Sequence, residues 1–133
     1  MKRLLSPPEF EADAQQGLPA PDESLGFSSV TAPAGFSVGL CGAMYQQQDG
    51  SLIIYLTNPE TNDVNIRCQI KNEDGDLLYE SGVLKPNEYL ERLYPVTKLK
   101  NEALEIQVLI YGYEPDTWYS KGAIILENIL QLN

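Results

Sequence analysis

A chain of 133 residues with 43% hydrophobic content has room for one folded domain with a substantial core, and shows no obvious second domain. Nine basic residues against nineteen acidic ones leave a formal charge of -10, which repels nucleic acid and anionic membranes at long range and argues against non-specific binding to either. No apolar run reaches the ~20 residues of a membrane span, so direct membrane insertion is not expected.

The opening Met1, Lys2, Arg3, Leu4 and Leu5 is basic and then apolar, but Ser6, Pro7 and Pro8 end it before a signal-peptide hydrophobic region can form. Residues 1–35 carry Pro7, Pro8, Pro19, Pro21 and Pro33 among Gly17, Gly26 and Gly35, the composition of an extended arm, leader or linker. Phe27, Val30 and Phe36 are the residues that would anchor its last part to a body spanning 36–133.

Residues 36–45 read as a first strand, followed by a turn at Asp49 and Gly50. Residues 51–57 supply a second, apolar on both faces and so suited to an internal position, with a buried helical segment as the competing local reading. After the loop marked by Pro59, residues 64–71 alternate without interruption. Val64, Ile66, Cys68 and Ile70 then share a buried face, and the opposite face is wet. Asp74 and Gly75 provide a tight reversal into residues 77–79, since glycine adopts positive φ readily. Pro86 and Asn87 form the next turn, before a short strand at 89–93. After residues 98–101 the alternation resumes over residues 104–110, where Leu104, Ile106, Val108 and Ile110 should face the core. Glu114, Pro115 and Asp116 break that strand, and residues 122–132 close the sheet. Seven short strands with hairpin signals predict an all-β, antiparallel β-sandwich.

Cys41 and Cys68 permit one disulfide, two free thiols or intermolecular pairing. Cys68 lies on the inward parity of its strand, where a thiol serves as a small hydrophobe.

Four segments carry a resemblance to a known family: residues 56–62 (with Asn58 and Pro59), 75–82 (with Tyr79, Glu80, Ser81 and Gly82), 84–87 and 110–117. Together they resemble small immunoglobulin-like β domains of uncharacterised surface or secreted proteins, mainly of Gram-positive bacteria, over residues 36–133. The resemblance implies an antiparallel sandwich and an extracellular or cell-envelope location. It implies no reaction and carries no catalytic set. Pro86 and Asn87 stand where such domains often use a Pro-Gly turn, a departure that bears on the turn and not on the fold.

Three groups are candidate sites. Asn72, Glu73, Asp74 and Asp76 place oxygen-bearing groups around Gly75, short of a complete calcium loop; an exposed hairpin turn is the alternative. Asn58, Glu60, Asn62 and Asp63 form a polar loop that would offer contacts to a ligand or bond to its own backbone. Tyr111, Tyr113, Trp118 and Tyr119 form an aromatic cluster suited to stacking on a glycan or to contacting a protein, with core packing as the competing role. Histidine is absent, which excludes His-based triads and His-containing zinc sites, and two cysteines give no four-cysteine zinc motif. Phosphate-loop and dinucleotide-binding glycine patterns are also missing.

These observations lead to the expectation of a noncatalytic module, without cofactor or metal, that recognises a protein or glycan. A structural subunit of a homo-oligomer, its N-terminal arm crossing to a neighbour, is the alternative, and an acidic-residue hydrolase is more distant.

Overall fold

The computed structural model describes residues 8–100 and 102–132; the basic opening at residues 1–5, Pro7 and Asn101 lie outside the described residues. In chain order the strands are β1 (Gln15–Gln16), β2 (Phe27–Thr31), β3 (Ser37–Cys41), β4 (Met44–Gln46), β5 (Leu52–Asn58), β6 (Asn65–Asn72), β7 (Leu77–Glu80), β8 (Glu88–Leu93), β9 (Leu104–Tyr113) and β10 (Ser120–Leu132). A 3-10 turn at Glu23–Leu25 is the only helical element among the described residues, so the fold is all-β. Among the described residues no helix is long and apolar enough to cross a membrane.

The strands form a curled, mixed sheet with the path β1-β8-β5-β4-β10-β9-β6-β7, while β3 also pairs with β5 and carries β2 on its other edge. Among the described residues ten strands replace the seven expected, and β4 runs parallel to β10, so the sheet is not wholly antiparallel. The physical reason lies in the segment expected as one first strand. At Gly42 and Ala43 the backbone leaves its ladder, and their N–H groups donate to the carbonyls of Gly26 and Leu25, both at 3.0 Å. Before this break β3 stays with β5 through Gly39 and Thr57; after it β4 crosses to Leu130, Gln131 and Leu132 of β10.

The proline-rich arm is also more ordered than its composition suggests. Its prolines fall between short elements: Pro19 and Pro21 lie between β1 and the 3-10 turn, and Pro33 lies in the β2–β3 turn. The intervening residues add to the sheet. Phe10 bridges Val83 in parallel, β1 pairs with Tyr89 and Glu88 of β8, and β2 pairs with β3 along all five of its residues. Phe36 is buried and Val30 packs against the core, as the sequence predicted for both, while Phe27 stays more than a third exposed.

Period-two alternation decides which faces are buried. Val64, Ile66, Cys68 and Ile70 are all inside, as are Ile106, Val108 and Ile110, with Leu104 partly buried against them. Each such side chain contributes about 1.5–3 kcal/mol relative to exposure. The turn before β8 uses asparagine where glycine is usual. Asn87 takes φ 70° while Glu88 N–H donates to Lys85 O at 3.2 Å, and asparagine tolerates this left-handed position best among non-glycine residues.

Both cysteines are free and buried. Burial pushes the Cys41 thiol up to about 11 and the Cys68 thiol up to about 12, because a thiolate there would lack solvation. Well below pH 9 both thiols are protonated whether the chain is folded or not, and their burial contributes fully to stability. Above the unfolded value of 9.0 the unfolded chain gains by ionising while the folded one does not, so stability falls as pH rises toward 11 to 12. At pH 8 a thiol-reactive disulfide reagent should therefore label neither cysteine in the native protein and both after urea unfolding; rapid native labelling would contradict their burial.

Candidate functional site

The aromatic residues gather where β9 turns into β10. Glu114 sets this turn: its Oε2 accepts from the Thr117 N–H at 2.7 Å and from the Thr117 hydroxyl, and its carbonyl accepts from Trp118 N–H at 2.9 Å. Trp118 leaves the turn at φ 62°, a left-handed conformation rare for a bulky residue. Its ring centroid lies 5.9 Å from that of Tyr113 and 5.9 Å from that of Phe10, both tilted.

Phe10 comes from the N-terminal arm. Val83 N–H donates to Glu9 O and Glu11 N–H to Val83 O, each at 2.9 Å, so the arm holds Phe10 as one rung of a short parallel bridge. The Lys85 ammonium stands 5.4 Å from the Phe10 ring centroid. On the other side Arg67 of β6 pairs in register with Tyr111 of β9. Its guanidinium lies 5.3 Å from the Tyr111 ring centroid and 5.9 Å from that of Tyr113. Arg67 Nε donates to the Tyr113 hydroxyl at 2.9 Å, and Nη1 pairs with Glu80 Oε2 at 3.3 Å. Each cation–π contact is worth about 0.5–1 kcal/mol at such exposed sites.

The result is a strip running Lys85, Phe10, Trp118, Tyr113, Arg67, Tyr111, which collects two of the nine basic side chains of an acidic molecule. Tyr113 is its buried floor, Tyr111 and Trp118 are partly exposed, and Tyr119 points its surface to solvent. Partly exposed rings beside a guanidinium and an ammonium group suit aromatic contact plus hydrogen bonding. The sequence had identified the four aromatic residues of the last hairpin but not Phe10, Arg67 or Lys85. Arg67 could have been found from its wet-face parity; its partnership with Tyr111 needed the strand register.

Lowering pH should loosen this turn. The bonds from Thr117 hold the Glu114 carboxyl below its ordinary 4.5, so its charged form supports the turn above that pH, and the support is lost as pH falls through the lower folded value. Trp118 is the only tryptophan, and its emission should shift in an acid titration below pH 4.5. Glu114→Gln should remove that step while leaving the rest of the curve; an identical titration in the variant would show that another carboxylate governs it.

The two asparagines of the polar loop bond inward. Asn58 is fully buried, and its Nδ2 donates to Val64 O at 2.9 Å and Leu84 O at 3.0 Å. Asn62 Nδ2 donates to Asn58 Oδ1 at 2.8 Å and to Ser37 O at 2.6 Å. Of the four candidate residues, only Glu60 and Asp63 are exposed. In the Asn72 turn, Asn72 Oδ1 accepts from the N–H groups of Asp74 at 3.0 Å and Asp76 at 2.9 Å, while Gly75 takes φ 84°. That side chain is committed to the hairpin. Beside the turn an open concavity of about 720 Å³ is lined by Glu73, Glu105, Glu127 and Ile129 among others. No group of three or more potential metal-ligating side chains converges among the described residues. Comparison of the chain with family models, with curated proteins and with solved structures found no match.

Proposed function

We propose that this chain is a noncatalytic binding module of a bacterial cell-envelope or secreted protein, built as an immunoglobulin-like sandwich and engaging a protein or glycan at its aromatic end. The sandwich reading is supported by the way the sheet path divides. One group is β2-β3-β5-β8-β1 and the other β7-β6-β9-β10, and β4 connects them with a single residue pair to β5 and three to β10. Buried residues come from both groups, with Val38, Leu40, Ile54 and Leu56 in one and Ile66, Ile70, Val108 and Ile110 in the other. A single curled sheet whose two halves face one core in this manner supports the sandwich reading.

The observation that carries the functional reading is the conformation of Trp118 at φ 62°, its ring tilted between those of Tyr113 and Phe10. A left-handed residue of this size costs roughly 1–2 kcal/mol. Strain of this kind, held in place by surrounding contacts, concentrates at functional positions. Here it presents an indole at the rim of a surface that also offers Arg67, Lys85 and Tyr119. A large rigid ring next to charge-bearing donors is the composition of an interaction hot spot.

The full chain, probed against an array of oligosaccharides and immobilised envelope proteins, should retain a specific partner and turn over none of them. Trp118→Ala should weaken that binding by tenfold or more while the unfolding midpoint changes little. Binding indifferent to Trp118, or reproducible turnover of a substrate, would contradict the reading.

A further inference from the structure

The N-terminal arm lies on the body as an extended peptide lies in a binding site. Val83 N–H donates to Glu9 O and Val83 O accepts from Glu11 N–H, each at 2.9 Å. Gly82 N–H donates to Glu11 Oε1 at 2.8 Å, and Gly17 N–H donates to Asn87 O at 2.8 Å. Between these points Gln15 and Gln16 pair with Tyr89 and Glu88 of β8. Gly82 is shaped for this passage: a Cβ there would lie 2.7 Å from Glu11 Cα, so a bare backbone is what lets a second strand cross it. Phe10 carries the contact with the aromatic end, against Trp118 and beside the Lys85 ammonium.

The arm is held there without being built into the core. No residue from 8 to 17 is buried, Phe10 is 54% exposed, and Ala14 is the point where the arm packs against the core. Among the described residues no hydrogen bond joins residues 18–21 to the body, and Leu18 is exposed. This connector, with Pro19 and Pro21, leaves the arm able to swing away as an extended segment.

Main-chain bonds of this kind are indifferent to the sequence that makes them, and specificity comes from the pocket that takes a side chain. Resting on the aromatic end as the partner site, we propose that its ligand is an extended peptide strand of a partner protein, and that the arm is an intramolecular placeholder for it. The arm displays the recognised pattern: an aromatic residue for Trp118 and Lys85, set between the acidic residues Glu9 and Glu11. Lys85 is exposed and belongs to neither of the two side-chain ion pairs among the described residues, so its charge is open to an incoming carboxylate. A glycan lacks the alternating N–H and C=O groups with which Val83 pairs. Because it is tethered, the arm competes at high effective concentration and lowers the apparent affinity of an incoming strand.

The probe is a fluorescent peptide of residues 8–17, titrated into the full chain and followed by anisotropy. It should bind the Phe10→Ala chain about tenfold more tightly than wild type, because that chain's own arm competes less. Adding Trp118→Ala to that chain, or placing Phe10→Ala in the peptide, should weaken binding about tenfold. Adding Gly82→Ala should abolish it, since the new methyl group meets the backbone of either strand. Phe10 is exposed, so circular dichroism and the unfolding midpoint of the Phe10→Ala chain should stay near wild type. No saturable binding to that chain at millimolar peptide, or binding indifferent to the peptide's phenylalanine, would overturn the proposal. A chain dimer that the peptide dissolves would give the site to the arm of a second copy and overturn the partner assignment. An array partner held through Trp118 that the peptide does not displace from the Phe10→Ala chain would sink this inference and leave the aromatic-end reading standing. Peptide binding as described, with an array that retains nothing, would do the reverse.

Discussion

Asn58→Ala is expected to lower unfolding free energy by about 2–4 kcal/mol, visible as a lower urea midpoint with an unchanged slope. The side chain is fully buried between β5 and the segments that follow. It holds Val64 O and Leu84 O together, and Asn62 in turn ties Asn58 to Ser37 at the start of β3. Alanine leaves Val64 O without this donor and opens a polar cavity. Asn58→Asp should cost more than the alanine substitution, although aspartate has nearly the shape of asparagine. A carboxylate oxygen would then stand where Nδ2 donates, facing two carbonyl oxygens without solvent. The order asparagine, alanine, aspartate therefore distinguishes a hydrogen-bonded clamp from a merely packed position. Equal effects of the two substitutions would contradict the clamp.

Gly82→Ala is expected to detach the N-terminal arm while leaving the body folded. A Cβ at Gly82 would lie 2.7 Å from Glu11 Cα and 2.8 Å from Glu11 N, so the obstruction is backbone and not a movable side-chain tip. The arm would lose the bond from Gly82 N–H to Glu11 Oε1 at 2.8 Å, with the two backbone bonds between Val83 and residues 9 and 11. Phe10 would leave Trp118 as a consequence. At about 1 kcal/mol for each lost bond, with part recovered by water, the arm should open by roughly 2 kcal/mol, or about thirtyfold more often. Limited proteolysis should then cut between residues 8 and 14 about thirtyfold faster, and Trp118 should become more accessible to acrylamide quenching. Unchanged cleavage would mean that the body, not the arm, gives way around the new methyl group.

The strands of the body were legible because burial on one face imposes a period of two. Residues 64–71 and 104–110 show this most clearly, and their inward members are the ones found in the core. The arm was not legible in the same way. Phe10, Gln15 and Gln16 add to the sheet through main-chain bonds, which leave no side-chain pattern in a sequence. The crossing of β4 to β10 was hidden for a related reason: the break at Gly42 is a choice of backbone partners, made only once Gly26 and Leu25 lie alongside. Asn58 and Asn62 read as loop residues that would contact a ligand or bond to their own backbone, because short polar side chains near proline resemble a turn. Their burial follows from long-range proximity to Ser37 and Leu84. The aromatic cluster was half legible. Tyr111, Tyr113, Trp118 and Tyr119 are neighbours in sequence, whereas Phe10 and Arg67 join them only through the arm bridge and strand register.

The most direct test of the aromatic end as the partner site is a nuclear magnetic resonance titration with any oligosaccharide or protein retained by the array. The account predicts that the largest shifts fall on Phe10, Arg67, Tyr113 and the Trp118 indole. Shifts centred instead on the Asn72 turn and the acidic concavity of Glu73, Glu105 and Glu127, with Trp118 unmoved, would contradict it.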